Sequence, residues 1–200
     1  MKKSIFEGLG GGFYIGIGGA VFLACVENRY IGAVCFTVAL LSICLMGMQL
    51  FTGKVGTVVE HHTKGDLLSL LGCLIGNTAG TFFSALMLRV IRPTAAAHAI
   101  AMVEKKLDAS LLSVFLAAVF CGILMHTAVW CFKEKNTPSA IFFCVPVFIL
   151  AGFEHSIADM MYFFTAMSIN VQSLIFIIVV LIGNSVGGAL MPLLSKIAKS

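Results

Sequence analysis

The chain has 200 residues, of which 60% are hydrophobic and only 11% charged, and its mean hydropathy is +1.04. Soluble domains carry about 25% charged residues, so this composition excludes an ordinary soluble globule as well as intrinsic disorder. The net charge of +4 comes from 13 basic and 9 acidic residues that form no basic run, which argues against a nucleic-acid partner. The class that remains is an integral membrane protein in a lipid bilayer.

Six apolar segments follow one another along the chain, and each is long enough to cross a bilayer as a helix of about 20 residues. They cover 5–26, 30–51, 67–91, 108–132, 138–165 and 171–194. The polar breaks between them are short, so we expect a single all-α transmembrane domain over residues 1–200. A transmembrane β-barrel is disfavoured, because its strands are alternating segments of about ten residues and these runs are continuous.

The first segment resembles a signal peptide, since Lys2 and Lys3 precede its apolar run. The run continues to Val26 without a small-residue cleavage site, so we interpret it as the first span.

The basic residues predict the orientation of the six spans, because cytoplasmic loops are enriched in Lys and Arg. An even number of spans places both termini on one side. That side collects eight basic residues, Lys2, Lys3, Lys54, Lys64, Lys133, Lys135, Lys196 and Lys199. The other side collects five, Arg29, Arg89, Arg92, Lys105 and Lys106. The asymmetry predicts cytoplasmic termini and a multi-pass protein of the inner membrane.

A short motif recurs in the two halves of the chain. Residues 74–80 read LIGNTAG and residues 181–187 read LIGNSVG, which places Asn77 and Asn184 107 positions apart. A repeat of three spans is inverted in the membrane, and inverted repeats are typical of transporters and channels. Small residues also let helices pack closely, but that does not explain the matched positions. We therefore predict repeat halves at about 5–91 and 108–194.

The second span of each half contains an irregularity. Residues 49–56 place two glycines around Lys54, and residues 152–159 place Gly, Glu, His and Asp in the middle of an apolar segment. Ionisable residues at membrane depth are candidates for functional sites, and paired interrupted spans mark a binding site or pore. Their half-helix N-termini would favour anions.

His155 is the sharpest candidate in this region, because its neighbours are apolar. Its ring could donate a hydrogen bond or a proton to a weak-acid anion, or it could be a packing histidine bonded to a backbone carbonyl. Asp159, one helical turn later, could bond to His155, and Glu154 is expected to brace a broken backbone or a subunit contact. His126 is interpreted as a helix–helix contact rather than a second lining group.

No metal or cofactor site is expected. The seven cysteines lie in or beside apolar segments, their number is odd, and none forms a CxxC pair, which favours packing roles. His61 and His62 look like a metal motif but are predicted to lie in a solvated loop.

These features together resemble the formate/nitrite transporter family, pentameric channels for small monovalent anions of weak acids. The resemblance covers nearly the whole chain, and its most specific motifs are LFTG at 50–53 and GFEHSIA at 152–158. A glycine-rich first span at 7–19 and AVW at 128–130 are also of the family's kind. The resemblance implies six transmembrane helices in an inverted three-plus-three repeat, aquaporin-like, with helices 2 and 5 broken, and a homopentamer.

The resemblance also implies roles for individual residues. His155 matches the central pore histidine, Thr52 the polar residue facing it, Glu154 the residue that ties down the broken fifth helix, and Lys106 the outer vestibule lysine. Phe36, Leu40 and Leu50 match an outer constriction, and Phe148 matches an inner one.

Two positions depart from the family pattern. The family often has an asparagine near the pore in the fourth helix, where this chain has Cys121 and Gly122, so we expect Gly122 to widen or rewire the site. Asp159 stands where an asparagine is usual.

The expected function is therefore transport of small monovalent weak-acid anions of the formate, nitrite or hydrosulfide type, proton-linked through the central histidine, and not enzymatic. An aquaporin-like channel for small neutral solutes is the alternative, although it would usually show two Asn-Pro-Ala loops, and none of the four prolines lies in one. A membrane enzyme or metal carrier would need clustered ligands, and the histidines fall at different depths.

Overall fold

The chain is almost entirely helical. A computed structural model describes residues 1–61 and 63–199, and within these residues it contains nine α-helices. In chain order they are α1 (Lys2–Ala24), α2 (Arg29–Leu45), α3 (Phe51–His61), α4 (Lys64–Ile91), α5 (Pro93–Leu107), α6 (Leu111–Lys135), α7 (Ser139–Ala151), α8 (Ser156–Ala166) and α9 (Val171–Ile197).

Four of the described helices, α1, α4, α6 and α9, are long and apolar enough to cross a membrane. The pair α7 and α8 would make a fifth span, bent by 54° at its break, and α2 is a shorter apolar helix. The first, third, fourth and sixth predicted segments therefore correspond to single helices. The fifth segment is divided between α7 and α8, whereas the second contains nearly all of α2 and ends at the first residue of α3.

Two stretches that the sequence analysis treated as polar breaks are helical, so that part of the prediction was wrong. Residues 54–66 fall largely in α3, which buries Val55, and residues 92–106 form α5. Pro93 begins α5, where its fixed φ angle is compatible with a helix and its missing N–H costs nothing. The loop predicted at His61 and His62 is wrong for His61, which is the last residue of α3, and His62 lies outside the described residues.

The long helices pack in two similar pairs, α1 with α4 and α6 with α9. A Cβ on Gly12 would collide with the backbone oxygen of Asn77, and one on Gly122 would collide with that of Asn184. Gly122 follows Gly12 by 110 positions. Glycines that face the two asparagines of the repeated motif therefore let the backbones of both helix pairs approach closely.

The shorter helices are separated by two short non-helical segments, which we call the first break (residues 46–50, between α2 and α3) and the second break (residues 152–155, between α7 and α8). The two breaks have the same backbone geometry. Gly47 (φ 66°) and Gly152 (φ 75°) both adopt the left-handed conformation that glycine tolerates, and each terminates a helix. The N–H after each glycine reaches back to a carbonyl five residues earlier, Met48 to Ile43 and Phe153 to Phe148, both at 2.9 Å. Each helix thus ends in a Schellman-type turn, and the chain restarts as a helix at Phe51 and at Ser156.

Candidate functional site

A buried asparagine on α4 holds the first break in place. The Asn77 side-chain amide donates to the carbonyl oxygens of Gly8 (2.7 Å) and Gln49 (2.9 Å). Its Oδ1 accepts the backbone N–H of Phe51 at 2.9 Å. One side chain therefore satisfies two backbone groups that the break leaves without helical partners, at Gln49 and Phe51, and ties them to a carbonyl of α1.

Asn184 on α9 does the same for the second break. Its amide donates to the carbonyl oxygens of Ala118 and Glu154, both at 2.8 Å, and its Oδ1 accepts the N–H of Ser156 at 2.9 Å. The repeated motif had drawn attention to its glycines, and the function of its asparagine was missed. The signal was present, since the asparagine is the one amide side chain in the motif, with two N–H donors and a carbonyl acceptor.

The two breaks meet at Thr52 and His155. Thr52 Oγ1 lies 3.0 Å from His155 Nε2, and both residues are buried. The structure therefore brings together the two residues that the family resemblance paired.

The other nitrogen of the His155 ring caps α8. Nδ1 accepts the backbone N–H of Ala158 at 3.1 Å. A neutral imidazole carries one proton, so with Nδ1 acting as acceptor the proton lies on Nε2, which then donates to Thr52 Oγ1. Adding a second proton to the ring would break the helix cap.

Two cavities lie beside this contact. The larger, about 550 Å³, is lined among others by Lys106, Phe148, Glu154 and His155. The smaller, about 210 Å³, is lined among others by Leu50, Lys54 and Lys133. We call them cavity 1 and cavity 2.

The four predicted constriction residues are all buried but divide differently from the prediction. Phe148 stacks on His155, with ring centroids 5.6 Å apart, and contacts Phe36 edge-on at 6.1 Å. Phe148 was expected at the mouth opposite Lys106, yet both line cavity 1, whereas Leu50 lines cavity 2. The predicted division into outer and inner sets is therefore wrong. Phe36 and Leu40 line neither of these cavities.

Lys106 is not a free cation at a pore mouth. Its ammonium group pairs with Glu154 Oε2 and lies 3.0 Å from Asp159 Oδ1, and its side chain is 17% exposed. Burial lowers the pKa of the Lys106 amine, but the charges of Asp159 and Glu154 raise it by more, so its pKa is above the ordinary value. The predicted bond between the Asp159 side chain and His155 is replaced by this pairing. Glu154 does help to hold the break, through its carbonyl bond to Asn184.

Lys54, beside the first break, has two neutral hydrogen-bond partners. It donates to Gln49 Oε1 (2.5 Å) and Ser69 Oγ (2.7 Å), and Gln49 in turn donates to Glu7 at 2.6 Å. The sequence analysis placed Lys54 at the end of a span and gave it no partner. Its contacts depend on the restart of the helix at Phe51, which brings residues far apart in the chain together.

Two further candidates lie away from the central contact. Gly122 faces the backbone of Asn184 on α9, so the structure does not bring it to Thr52 and His155. The ring of His126 packs against Gly56 of α3, which agrees with its interpretation as a helix–helix contact.

The charges around the two cavities differ. Cavity 1 has three basic residues, Arg29, Lys105 and Lys106, against the two carboxylates of Glu154 and Asp159. Among the described residues, those that line cavity 2 include two lysines and no carboxylate. Both cavities thus present an excess of positive charge, which attracts anions.

Comparison with known proteins places these features in context. A model of the formate/nitrite transporter family matches residues 1–197. The nitrite transporter NirC of Salmonella typhimurium is 29% identical over 178 residues, which are 76% of this chain and 64% of the relative. The chain thus spans a little under two thirds of that curated relative's length.

Two solved structures share the fold. A pentameric formate channel with formate bound superposes with a TM-score of 0.81 at 21% identity, covering 95% of this chain and 93% of that one. An ion channel of the same family gives a TM-score of 0.86 at 20% identity, covering 98% and 89%. These relatives are named as channels and transporters, not enzymes.

Proposed function

The chain belongs to the formate/nitrite transporter family, and from that premise we propose that it is a transmembrane passage for small monovalent anions of weak acids, such as formate, nitrite or hydrosulfide. The observation that carries the proposal is the buried contact between Thr52 and His155, 3.0 Å apart, with His155 lining one positively charged cavity and Gly53, the neighbour of Thr52, lining the other. The proposed transport involves no enzymatic step, no cofactor and no metal.

The proposed architecture has six spans in two inverted halves. In it, α2 with α3 and α7 with α8 each form one broken span, and the chain is a single transmembrane domain. The equivalent hydrogen bonds of Asn77 and Asn184 support this arrangement, because each fixes a broken helix in the same way. A unit of three spans must reverse its direction when it is repeated, so the halves are inverted.

The residues of the site support a sequence of events. Lysines concentrate anions in each cavity. The apolar side chains of Phe148 and Leu50 disfavour a bare charge, since dehydrating an ion is costly, and so favour the neutral acid. Near the midplane, the permeant would accept the Nε2–H hydrogen bond of His155 in place of Thr52, while the Nδ1 bond to Ala158 keeps the ring in position.

The proposed location is the inner membrane, with both termini in the cytoplasm and cavity 2 facing the cytoplasm. The basic residues near the proposed cytoplasmic ends, which include Lys54 and Lys133, support this orientation. We further propose a homopentamer with one passage in each protomer, in keeping with the pentameric formate channel that shares the fold.

The proposal is tested by a substrate panel in proteoliposomes. Uptake of formate, nitrite and hydrosulfide is measured at neutral and at mildly acidic pH, beside uptake of water and glycerol. We expect at least one of the anions to enter faster than into protein-free vesicles, and faster still at acidic pH. Passage of glycerol or water alone would favour the neutral-solute channel instead.

A further inference from the structure

Two carboxylates share one ammonium group at the wall of cavity 1. Lys106 on α5 pairs with Glu154 in the second break and with Asp159 on α8, the latter at 3.0 Å. If both acids were ionised, this cluster would carry one net negative charge. Glu154 is 9% exposed and Asp159 2%, so little water is available to stabilise that charge.

One oxygen of Asp159 is left without a partner. Oδ1 faces Lys106, whereas Oδ2 is buried and forms no hydrogen bond among the described residues. A buried carboxylate oxygen without a donor is costly, and a proton on that oxygen removes the charge.

The surrounding groups do not supply the missing positive charge. Tyr162 and Cys121 lie close enough to Asp159 to interact with it electrostatically, but both side chains are neutral when protonated and supply no positive charge. His155 uses Nδ1 to cap α8. Across cavity 1, Arg29 donates to the carbonyl of Ile149 at 2.6 Å, and Lys105 is exposed. Lys106 is therefore the cation that contacts the two acids.

We infer that this cluster, Lys106 with Glu154 and Asp159, holds one proton on Asp159 at neutral pH and stores it for the anion that enters cavity 1. The inference rests on the proposed function for its transport half. In this proposal the proton donor is Asp159 on α8, at the wall of cavity 1, instead of His155.

The step balances in protons and charge. The Oδ2–H bond of Asp159 breaks and the proton passes to an oxygen or sulfur of the anion, which becomes the neutral acid. Asp159 is left as a carboxylate beside Lys106. A hydronium ion from the aqueous compartment on that side of the membrane restores the Oδ2–H bond.

The protonation is tested by infrared spectroscopy on the full chain in lipid. We expect a carbonyl stretching band of a protonated carboxyl group at neutral pH in the wild type. The band should be retained in Glu104→Gln, whose exposed acid lies on the same helix as Lys106, and lost in Asp159→Asn. Asparagine has nearly the shape of a protonated aspartate, so this variant is expected to fold. Absence of the band from the wild type, or its survival in Asp159→Asn, would overturn the inference.

The transport half is tested with the same variants in proteoliposomes. At neutral pH we expect Asp159→Asn to slow formate uptake about tenfold, less than the full effect of a positioned acid because water in the cavity can also donate. The difference should shrink at acidic pH, and Asp159→Glu should restore part of the rate. Equal pH profiles of wild type and Asp159→Asn would overturn the storage role while leaving the proposed function intact. A wild type without uptake would instead defeat the proposed function, and the infrared band would still decide where the proton lies.

Discussion

The two breaks, at residues 46–50 and 152–155, share one backbone design and differ in charge. In each, a left-handed glycine ends a helix and a buried asparagine ties the restarted chain. At equivalent positions, 105 residues apart, Gln49 corresponds to Glu154 and Lys54 to Asp159. Lys54 therefore lies among neutral partners, whereas Lys106 is held by two acids. The comparison teaches that two breaks of the same backbone geometry can carry different side chains, which give each cavity its own electrostatics.

The largest expected loss of stability comes from removing the buried asparagine that holds either break. Asn77→Ala and Asn184→Ala each leave two backbone groups of a break without partners and remove a third bond to a neighbouring helix, so each should lower the free energy of unfolding by about 3 to 6 kcal/mol. Ser185→Ala is the matched control, since its hydroxyl bonds only to Leu181 of its own helix and its loss should cost less than about 1 kcal/mol. Unfolding in mixed micelles by a denaturing detergent measures these differences.

The two asparagines should also behave alike. A loss confined to one of them, with the other variant as stable as the Ser185 control, would show that the two breaks are not held in the same way.

The two lysine variants should differ in the free energy of unfolding, whereas the two asparagine variants should not. Lys106→Met leaves the buried carboxylate of Glu154 and the buried carboxyl group of Asp159 without their cation and should cost about 3 kcal/mol, the low end for a buried pair because the lysine is partly hydrated. Lys54→Met removes hydrogen bonds to two neutral groups and should cost about 1 kcal/mol. The same unfolding assay compares them, and equal costs would contradict the difference drawn between the two regions.

The contribution of Lys106 should depend on pH in one direction. Because its folded pKa is raised above the ordinary value of 10.5, the stability it supplies is fully present below that value and is lost as pH rises through the folded pKa. The difference between wild type and Lys106→Met should therefore be retained from neutral pH to about pH 10. Unfolding measured along an alkaline series tests this, and a difference already lost at pH 8 to 9 would contradict it.

An effect nearly as small as that of Lys54→Met is expected where Thr52 contacts His155. Thr52→Val removes the hydroxyl that His155 Nε2 contacts and should cost about 1 to 2 kcal/mol. Thr37→Val is the control, because the buried hydroxyl of Thr37 has no partner among the described residues and its removal should be neutral or slightly stabilising. Thermal unfolding in detergent measures both, and equal shifts would count against a specific bond between Thr52 and His155.

Much of this organisation could be predicted from the sequence, and particular residues show why. Apolar length predicted the long helices α1, α4, α6 and α9, because a spanning segment is a local property. The motif at 74–80 and 181–187 predicted related halves, and the family resemblance correctly paired Thr52 with His155.

The remainder depends on contacts between distant segments. Asn77 bonds to residues 26 and 69 positions away, so its role cannot be read from its neighbours. Asp159 was assigned to His155 because the two lie one turn apart, but its partner lies on α5, a helix that the sequence analysis interpreted as a loop. The helix at residues 92–106 was not predicted because the segment is polar in composition. It is stabilised partly by the burial of Ala95, Ala99 and Val103.

The central claim is that the buried pair of Thr52 and His155 lies on the path of a weak-acid anion between two positively charged cavities. Formate uptake by proteoliposomes containing wild type, His155→Ala or the Thr37→Val control tests it most directly, as a function of pH. We expect wild type and Thr37→Val to transport formate alike, well above protein-free vesicles, and His155→Ala to change the rate at every pH. Wild-type uptake no faster than that of protein-free vesicles, or identical rates and pH profiles for wild type and His155→Ala, would contradict the claim.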